Sequence, residues 1–142
     1  MKVVSLLEPF ASLIKEDVKK IETRSWKTNY RGEIYIHASK RKVSIKDDRT
    51  KRLAGYLKDQ DFKYGCIIAK AKLVDCIYMD KEFLDKIESD TIEKDCGHYE
   101  EGRYAWILRD VEILGDPIYT NGQLGIWNYD EKRIVMGDYN GE

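Results

Sequence analysis

Lys19, Glu22 and Arg24 are the residues of this sequence whose types and spacing could do chemistry. A lysine and an arginine sharing one carboxylate leave net positive charge, which suits a phosphate or carboxylate ligand. The same carboxylate could serve as a general base while the lysine stabilises developing negative charge. The plain alternative is a surface ion pair between Glu22 and Arg24 beside a solvated Lys19. Trp26 falls on the same face of an extended segment as Glu22 and Arg24. It offers a flat surface for stacking a base, or it fills the core. Arg31 follows, and then His37, Ser39 and Lys40. His37 and Ser39 share one strand face, and both can donate and accept hydrogen bonds. Their alternative is a satisfied polar pair beneath a loop.

The elements that would position these residues follow from pattern. Residues 3–7 read as a short buried strand. Pro9 suits the first turn of a helix. Phe10, Leu13, Ile14 and Val18 then form one apolar stripe at helical spacing. Lys19 and Lys20 suit the last turn of that helix, where cations complement the dipole. Residues 21–26 and 32–39 read as extended. Ser44 with Asp47 resembles a capping box opening a helix to about residue 58. Residues 65–78 form a long strand pattern, and Asp80 caps a short helix carrying Phe83, Leu84 and Ile87. Residues 89–102 are acidic and irregular and read as a loop. Residues 104–114 and 124–129 read as strands, separated by the Thr120-Asn121-Gly122 turn signal. The joins over 26–32 and 114–124 are too short for parallel crossovers. The predicted class is α+β, a curved or closed sheet of five to six mostly antiparallel strands with two to three peripheral helices.

Taken in order, several runs resemble the ASCH domain family, whose signature is G-x-K-x-x-E-x-R. They are Glu8-Pro9-Phe10-Ala11, Lys19-x-x-Glu22-x-Arg24-Ser25-Trp26, Tyr30-Arg31-Gly32 and Ile36-His37-Ala38-Ser39. Gly65-Cys66-Ile67-Ile68-Ala69, Tyr104-Ala105-Trp106, Pro117, Gly122 and Gly125-Ile126-Trp127 agree with it further on. The likeness spans about residues 3–130, giving one domain over 1–133 and a tail over 134–142. One position departs: Asp17 stands where the signature has glycine, so the helix is expected to run on to Lys19 or Lys20. The resemblance implies a small PUA-like β-barrel, with the signature residues lining a cleft for RNA or a nucleotide-like ligand. Similar proteins include RNA-binding and coactivator modules, nucleases, and small amidohydrolases that deacetylate an acetylated cytidine. Those amidohydrolases pair the signature lysine with a threonine nucleophile where this chain has Glu22. Lys19 and Arg24 carry over and the nucleophile does not, since Thr23 falls on the opposite strand face.

Composition bounds these readings. The chain has 142 residues, of which 42% are hydrophobic and 36% charged, enough for one core. No apolar stretch is long enough to cross a membrane. Glu8 and Pro9 stand where a secretory leader would still be apolar. Three cysteines without framework spacing point to free thiols in a reducing, cytoplasmic setting. Cys66, Cys76, Cys96, His37 and His98 lack metal-ligand spacing, and the glycines form no phosphate loop, so no metal or cofactor is called for. The net charge of −1 hides an asymmetry. Residues 1–60 hold 15 Lys/Arg against 8 Asp/Glu, and residues 61–142 hold 10 against 18. A basic face gathered from the first part could attract a polyanion. Three functions stay open. One is an RNA-binding module using Lys19, Arg24, Arg31 and Lys40, with Trp26 or Tyr35 stacking. Another is a hydrolase of a modified nucleoside or of RNA phosphodiesters, using Glu22 and Lys19. The third is a protein-interaction role for the acidic second part. Convergence of Lys19, Glu22 and His37 in one closed pocket would favour the enzyme, and an open basic groove reaching Lys42 would favour the binding module.

Overall fold

Long runs of alternating or continuous apolar residues build the sheet of this computed structural model, which describes residues 1–44 and 46–130. Six strands pair in the order β2-β5-β4-β3-β1-β6. They are β1 (Lys2–Leu6), β2 (Ile21–Arg24), β3 (Gly32–Ala38), β4 (Cys66–Tyr78), β5 (Tyr104–Tyr119) and β6 (Ile126–Asn128). All neighbours are antiparallel except β1 and β3, where Val4 faces Ile36. Register shifts interrupt β3 against β4 at Ile36/His37, and β4 against β5 at three places. Such bulges bend strands and raise their twist. They curl the 13-residue β4 and the 16-residue β5 into a half-barrel. Its edge strands β2 and β6 do not pair with each other among the described residues.

Among the described residues four helices pack around the sheet: α1 (Phe10–Lys15), α2 (Asp48–Ala54), α3 (Lys81–Ile87) and α4 (Thr91–Asp95). Leu13 and Ile14 of α1 are fully buried, as the stripe requires, while Phe10 and Val18 are half-buried. Ile14 joins Val4, Ile34, Ile36, Ala69 and Trp106 inside the curl. Leu13 faces outward to Leu53 and Leu57 and so seats α2. Trp127 packs with Val3 and Ile67 at 5% exposure.

Four expectations need correction. First, α1 stops at Lys15 and does not reach Lys19 or Lys20. Asp17 adopts φ 60°, its N–H bonds the Ile14 carbonyl at 2.9 Å, and the Val18 N–H bonds the Leu13 carbonyl at 2.9 Å. These two bonds form a Schellman motif. Aspartate is among the few non-glycine residues that tolerate the left-handed region, so Asp17 performs the turn that glycine would. Second, residues 89–102 are not all loop. Asp90 caps α4 by accepting the Glu93 N–H. Third, Asp47 alone caps α2, through the Thr50 N–H, and this helix ends at Ala54. Fourth, β5 continues past residue 114 to Tyr119, where register shifts keep it paired with β4. The tail expected over 134–142 lies outside the described residues.

Candidate functional site

The turn at Asp17 throws Lys19 off the helix and into the protein. Lys19 is 1% exposed. Its Nζ donates to the Cys96 carbonyl at 2.6 Å and lies 3.6 Å from Glu22 Oε1. A buried ammonium needs such partners, because isolation in a low dielectric is costly. Glu22, 8% exposed, accepts from Arg24 Nε through its other oxygen at 2.8 Å. Arg24 also donates through Nη2 to the Ser5 carbonyl at 3.0 Å, and its guanidinium lies 5.7 Å from the Trp106 ring. Both carboxylate oxygens of Glu22 therefore face cations, so the side chain serves as a brace between them.

Around this triad lies a pocket of about 340 Å³, a size suited to one small ligand. Leu6, Leu7 and Phe10 supply an apolar wall. Lys19, Arg24, Arg49 and Arg103 supply four cations, with Glu22 as the one carboxylate among the described lining residues. Arg49, on α2, donates to the Asp95 and Gly97 carbonyls at 3.0 and 3.3 Å, and its guanidinium sits 5.5 Å from the Phe10 ring. Arg103 donates to the His98 carbonyl at 3.0 Å and to Thr23 O at 3.4 Å. Carbonyl acceptors orient these guanidinium groups without neutralising them. The Asp95 carboxylate is engaged by Arg52 at 2.7 and 2.8 Å, which holds it below the usual carboxylate range.

The short helix α4 fixes the pocket's rim. Glu93 is buried and accepts the Lys20 and Ile21 N–H groups at 2.8 and 3.2 Å, tying α4 to the start of β2. Burial raises the Glu93 carboxyl above its ordinary value, against the pull of these N–H groups and of Lys19. Beyond α4, the His98 N–H donates to Thr23 Oγ1 at 3.0 Å. Thr23 lines the same pocket as Glu22, although alternation places the two on opposite strand faces. Cys96 also lines it, but burial pushes its thiol up to about 11, which leaves it a poor nucleophile.

The other sequence candidates sit elsewhere. Trp26 is 37% exposed and packs edge-on against Trp106 at 4.8 Å, outside the pocket lining. Arg31 is exposed, 3.8 Å from Asp75, and bonded to the Thr28 and Tyr30 carbonyls. His37 is buried between Ser5 Oγ at 3.0 Å and the Thr120 carbonyl at 2.8 Å. A carbonyl only accepts, so Nε2 carries the proton and Nδ1 accepts from Ser5. Burial lowers the His37 pKa, with the Thr120 bond opposing and Lys40 adding to the shift. His37, Ser39 and Lys40 line a neighbouring hollow that also touches Ser5. Lys40 reaches Asn121 Oδ1 there. The pocket thus gathers Lys19, Glu22 and Arg24 and leaves His37 next door. Arg49 and Arg103 escaped the sequence reading, because helix α2 and the residue before β5 approach the triad only in three dimensions. Among the described residues no cluster of His, Cys, Asp and Glu is placed to hold a metal.

A curled mixed half-barrel with a lysine–glutamate–arginine pocket beside it defines a class. The ASCH domain model matches residues 4–117, and the chain belongs to that family. Among solved structures it is similar to the ASCH protein of Zymomonas mobilis, with a TM-score of 0.59 at 18% identity, covering 94% of this chain and 90% of that one. A single-site mutant of the same protein gives a TM-score of 0.55 at 19% identity, covering 95% and 96%. These likenesses speak for the fold. Among curated proteins the chain is similar to activating signal cointegrator 1 of Homo sapiens, 27% identical over 139 residues, and of Mus musculus, 26% identical over 139 residues. Each match covers 91% of this chain and 22% of the longer relative. No described helix is long and apolar enough to cross a membrane.

Proposed function

We propose that this domain is a binding module whose central pocket holds a nucleotide unit, either free or within RNA. One observation carries the reading: an apolar wall of Leu6, Leu7 and Phe10 stands beside four cations in a pocket sized for one small ligand. A nucleotide has that same division, a flat base and an anionic phosphate. Leu7 is 43% exposed and Phe10 half-buried, so the wall is open to a stacking base. Carbonyls orient Arg49 and Arg103 without neutralising them, which leaves their charge for phosphate oxygens. Arg24, Arg49 and Arg103 face the ligand, the buried Lys19 adds positive charge from beneath, and Glu22 holds Lys19 and Arg24 in place. Its bracing between two cations favours binding over hydrolysis, since a base needs an oxygen free to take a proton. The relatives' name, signal cointegrator, suits a domain that binds as part of a larger assembly, and protein partners for the acidic second part belong to the same proposal.

Calorimetry with a nucleoside and its 5′-monophosphate tests this. The monophosphate should bind, and the nucleoside should bind at least about tenfold more weakly, because it forfeits the charge-assisted hydrogen bonds. Arg49→Ala and Arg103→Ala should each weaken the monophosphate alone. Equal affinity for the two ligands would remove the cationic half of the reading.

A further inference from the structure

Strand β4 outruns its neighbour β3. Its pairing with β3 ends at Leu73, opposite Gly32, while its pairing with β5 runs on to Tyr78, opposite Tyr104. From Val74 to Tyr78, β4 is thus an open edge among the described residues, and Val74, Asp75 and Tyr78 are exposed there. The Met79 N–H bonds the carbonyl of Arg103, just before β5, at 2.8 Å. Antiparallel alternation then points the backbone polar groups of Cys76 and Tyr78 away from β5, toward the open edge. The Cys76 N–H donates to Asp75 Oδ1 at 2.8 Å, and the Tyr78 carbonyl accepts the Asp80 N–H at 3.1 Å. Contacts this local can give way to a partner strand. A groove of about 600 Å³ lies beside this edge. It touches Ile77 and Tyr78, consecutive residues whose side chains point to opposite sheet faces, so it meets β4 from the side. Its other wall is α3, through Glu82, Phe83 and Ile87. Ile77 and Phe83 pack in one apolar cluster. Asp80, Glu82 and Asp90 supply negative charge, and Lys86, the one cation in the described lining, lies 3.3 Å from Glu82. Asp75 adds a carboxylate on the edge itself, 3.8 Å from the exposed Arg31, a pair that contributes little at such exposure.

We infer that this edge and groove bind an extended segment of a partner protein, which adds a strand to β4 and carries apolar side chains together with lysine or arginine. This rests on the reading of the acidic second part as a contact for protein partners, and not on the nucleotide pocket. Backbone pairing with Cys76 and Tyr78 supplies affinity, and alternate side chains supply selectivity. The apolar side chains fill the groove over Ile77, Phe83 and Ile87, and the basic ones reach Asp75, Asp80 and Glu82. An acidic strand would meet those carboxylates at close range, which is repulsive. A second copy of this chain fits poorly for the same reason. Pairing this short edge with itself brings the two Asp75 carboxylates and the two acidic grooves close together.

Selection of short random peptides displayed on phage, against the whole protein, tests the inference. Enriched peptides should combine apolar residues with lysine or arginine, and synthetic copies should bind less tightly as salt rises. Methylating the backbone nitrogens of a selected peptide one at a time should weaken binding at every second position, the signature of a strand paired along one edge. Tyr78→Ser and Glu82→Lys should each weaken that peptide about three- to tenfold, read by fluorescence anisotropy. Both side chains are exposed, so melting temperatures should stay close to that of the parent. Peptides that bind both variants as tightly as the parent would overturn the groove while leaving a protein contact elsewhere on the acidic part. Methylation tolerated at every position would overturn strand addition. Enrichment of acidic peptides alone, or of none, would overturn this inference and the protein-contact reading together.

Discussion

Glu22 is the residue on which binding and catalysis part company. Its two oxygens face Lys19 at 3.6 Å and Arg24 at 2.8 Å. Arg24 has a second anchor in the Ser5 carbonyl, and Lys19 has one in the Cys96 carbonyl. Replacing Glu22 with Gln therefore removes charge without freeing either cation. Affinity for a nucleoside monophosphate should hold or rise at low salt, as two cations lose their compensation. A more than tenfold loss of affinity would show that the carboxylate itself meets the ligand. His37 supplies a separate residue-scale test. Burial lowers its pKa from the ordinary 6.5, so the folded protein binds fewer protons than the unfolded chain between the two values. Its contribution to stability is complete above the unfolded value and is lost as pH falls through the folded one. Glu8 and Glu93, raised by burial, change stability with the opposite sign. A paired comparison with His37→Gln cancels their effect. The melting-temperature gap between parent and variant should shrink on going from about pH 7.5 to pH 5. A gap that stays constant would mean that His37 does not titrate differently in the fold.

At the scale of elements, the end of α1 decides where Lys19 goes. A glycine would adopt the left-handed turn freely, whereas Asp17 holds it at φ 60°. Asp17→Val should destabilise the protein by about 1–2 kcal/mol, since a β-branched residue resists that region. Asp17→Gly should be tolerated without loss. Thermal unfolding of the pair checks this, and a Val variant as stable as the parent would contradict the Schellman geometry. The same turn shows what the sequence could and could not reveal. Leu13, Ile14 and the strand patterns of β3 and β4 were legible because burial imposes period. The helix end was misjudged because Asp17 carries no apolar signal, and its φ is set by the Leu13 and Ile14 carbonyls that it helps to cap. Helix α4 was missed because it is a single turn of largely polar residues. Its role comes from Glu93 reaching the backbone of β2, more than 70 positions away in sequence. Lys19, Glu22 and Arg24 were legible as a spaced motif. Arg49 and Arg103 were not, because only the fold brings α2 and the approach to β5 onto the triad.

For the whole molecule, the uneven charge along the sequence bears on the proposed binding. Three of the four pocket cations come from the first 60 residues, as do Lys40, Arg41 and Lys42 of two neighbouring hollows. The curled sheet brings Arg103 to join them. Of the acidic residues after 61, Asp80, Glu82 and Asp90 line a separate groove beside α3. A polyanion should therefore approach one side of a protein that is nearly neutral overall. The measurement that tests this most directly is the salt dependence of binding to a short single-stranded RNA, made on the parent and on an Arg49→Ala/Arg103→Ala variant. With about three cations on phosphates, the slope of log K against log salt should be about −2, becoming shallower by about 0.7 for each cation removed. No binding at low salt, or one slope shared by parent and variant, would contradict the cationic pocket as the seat of function.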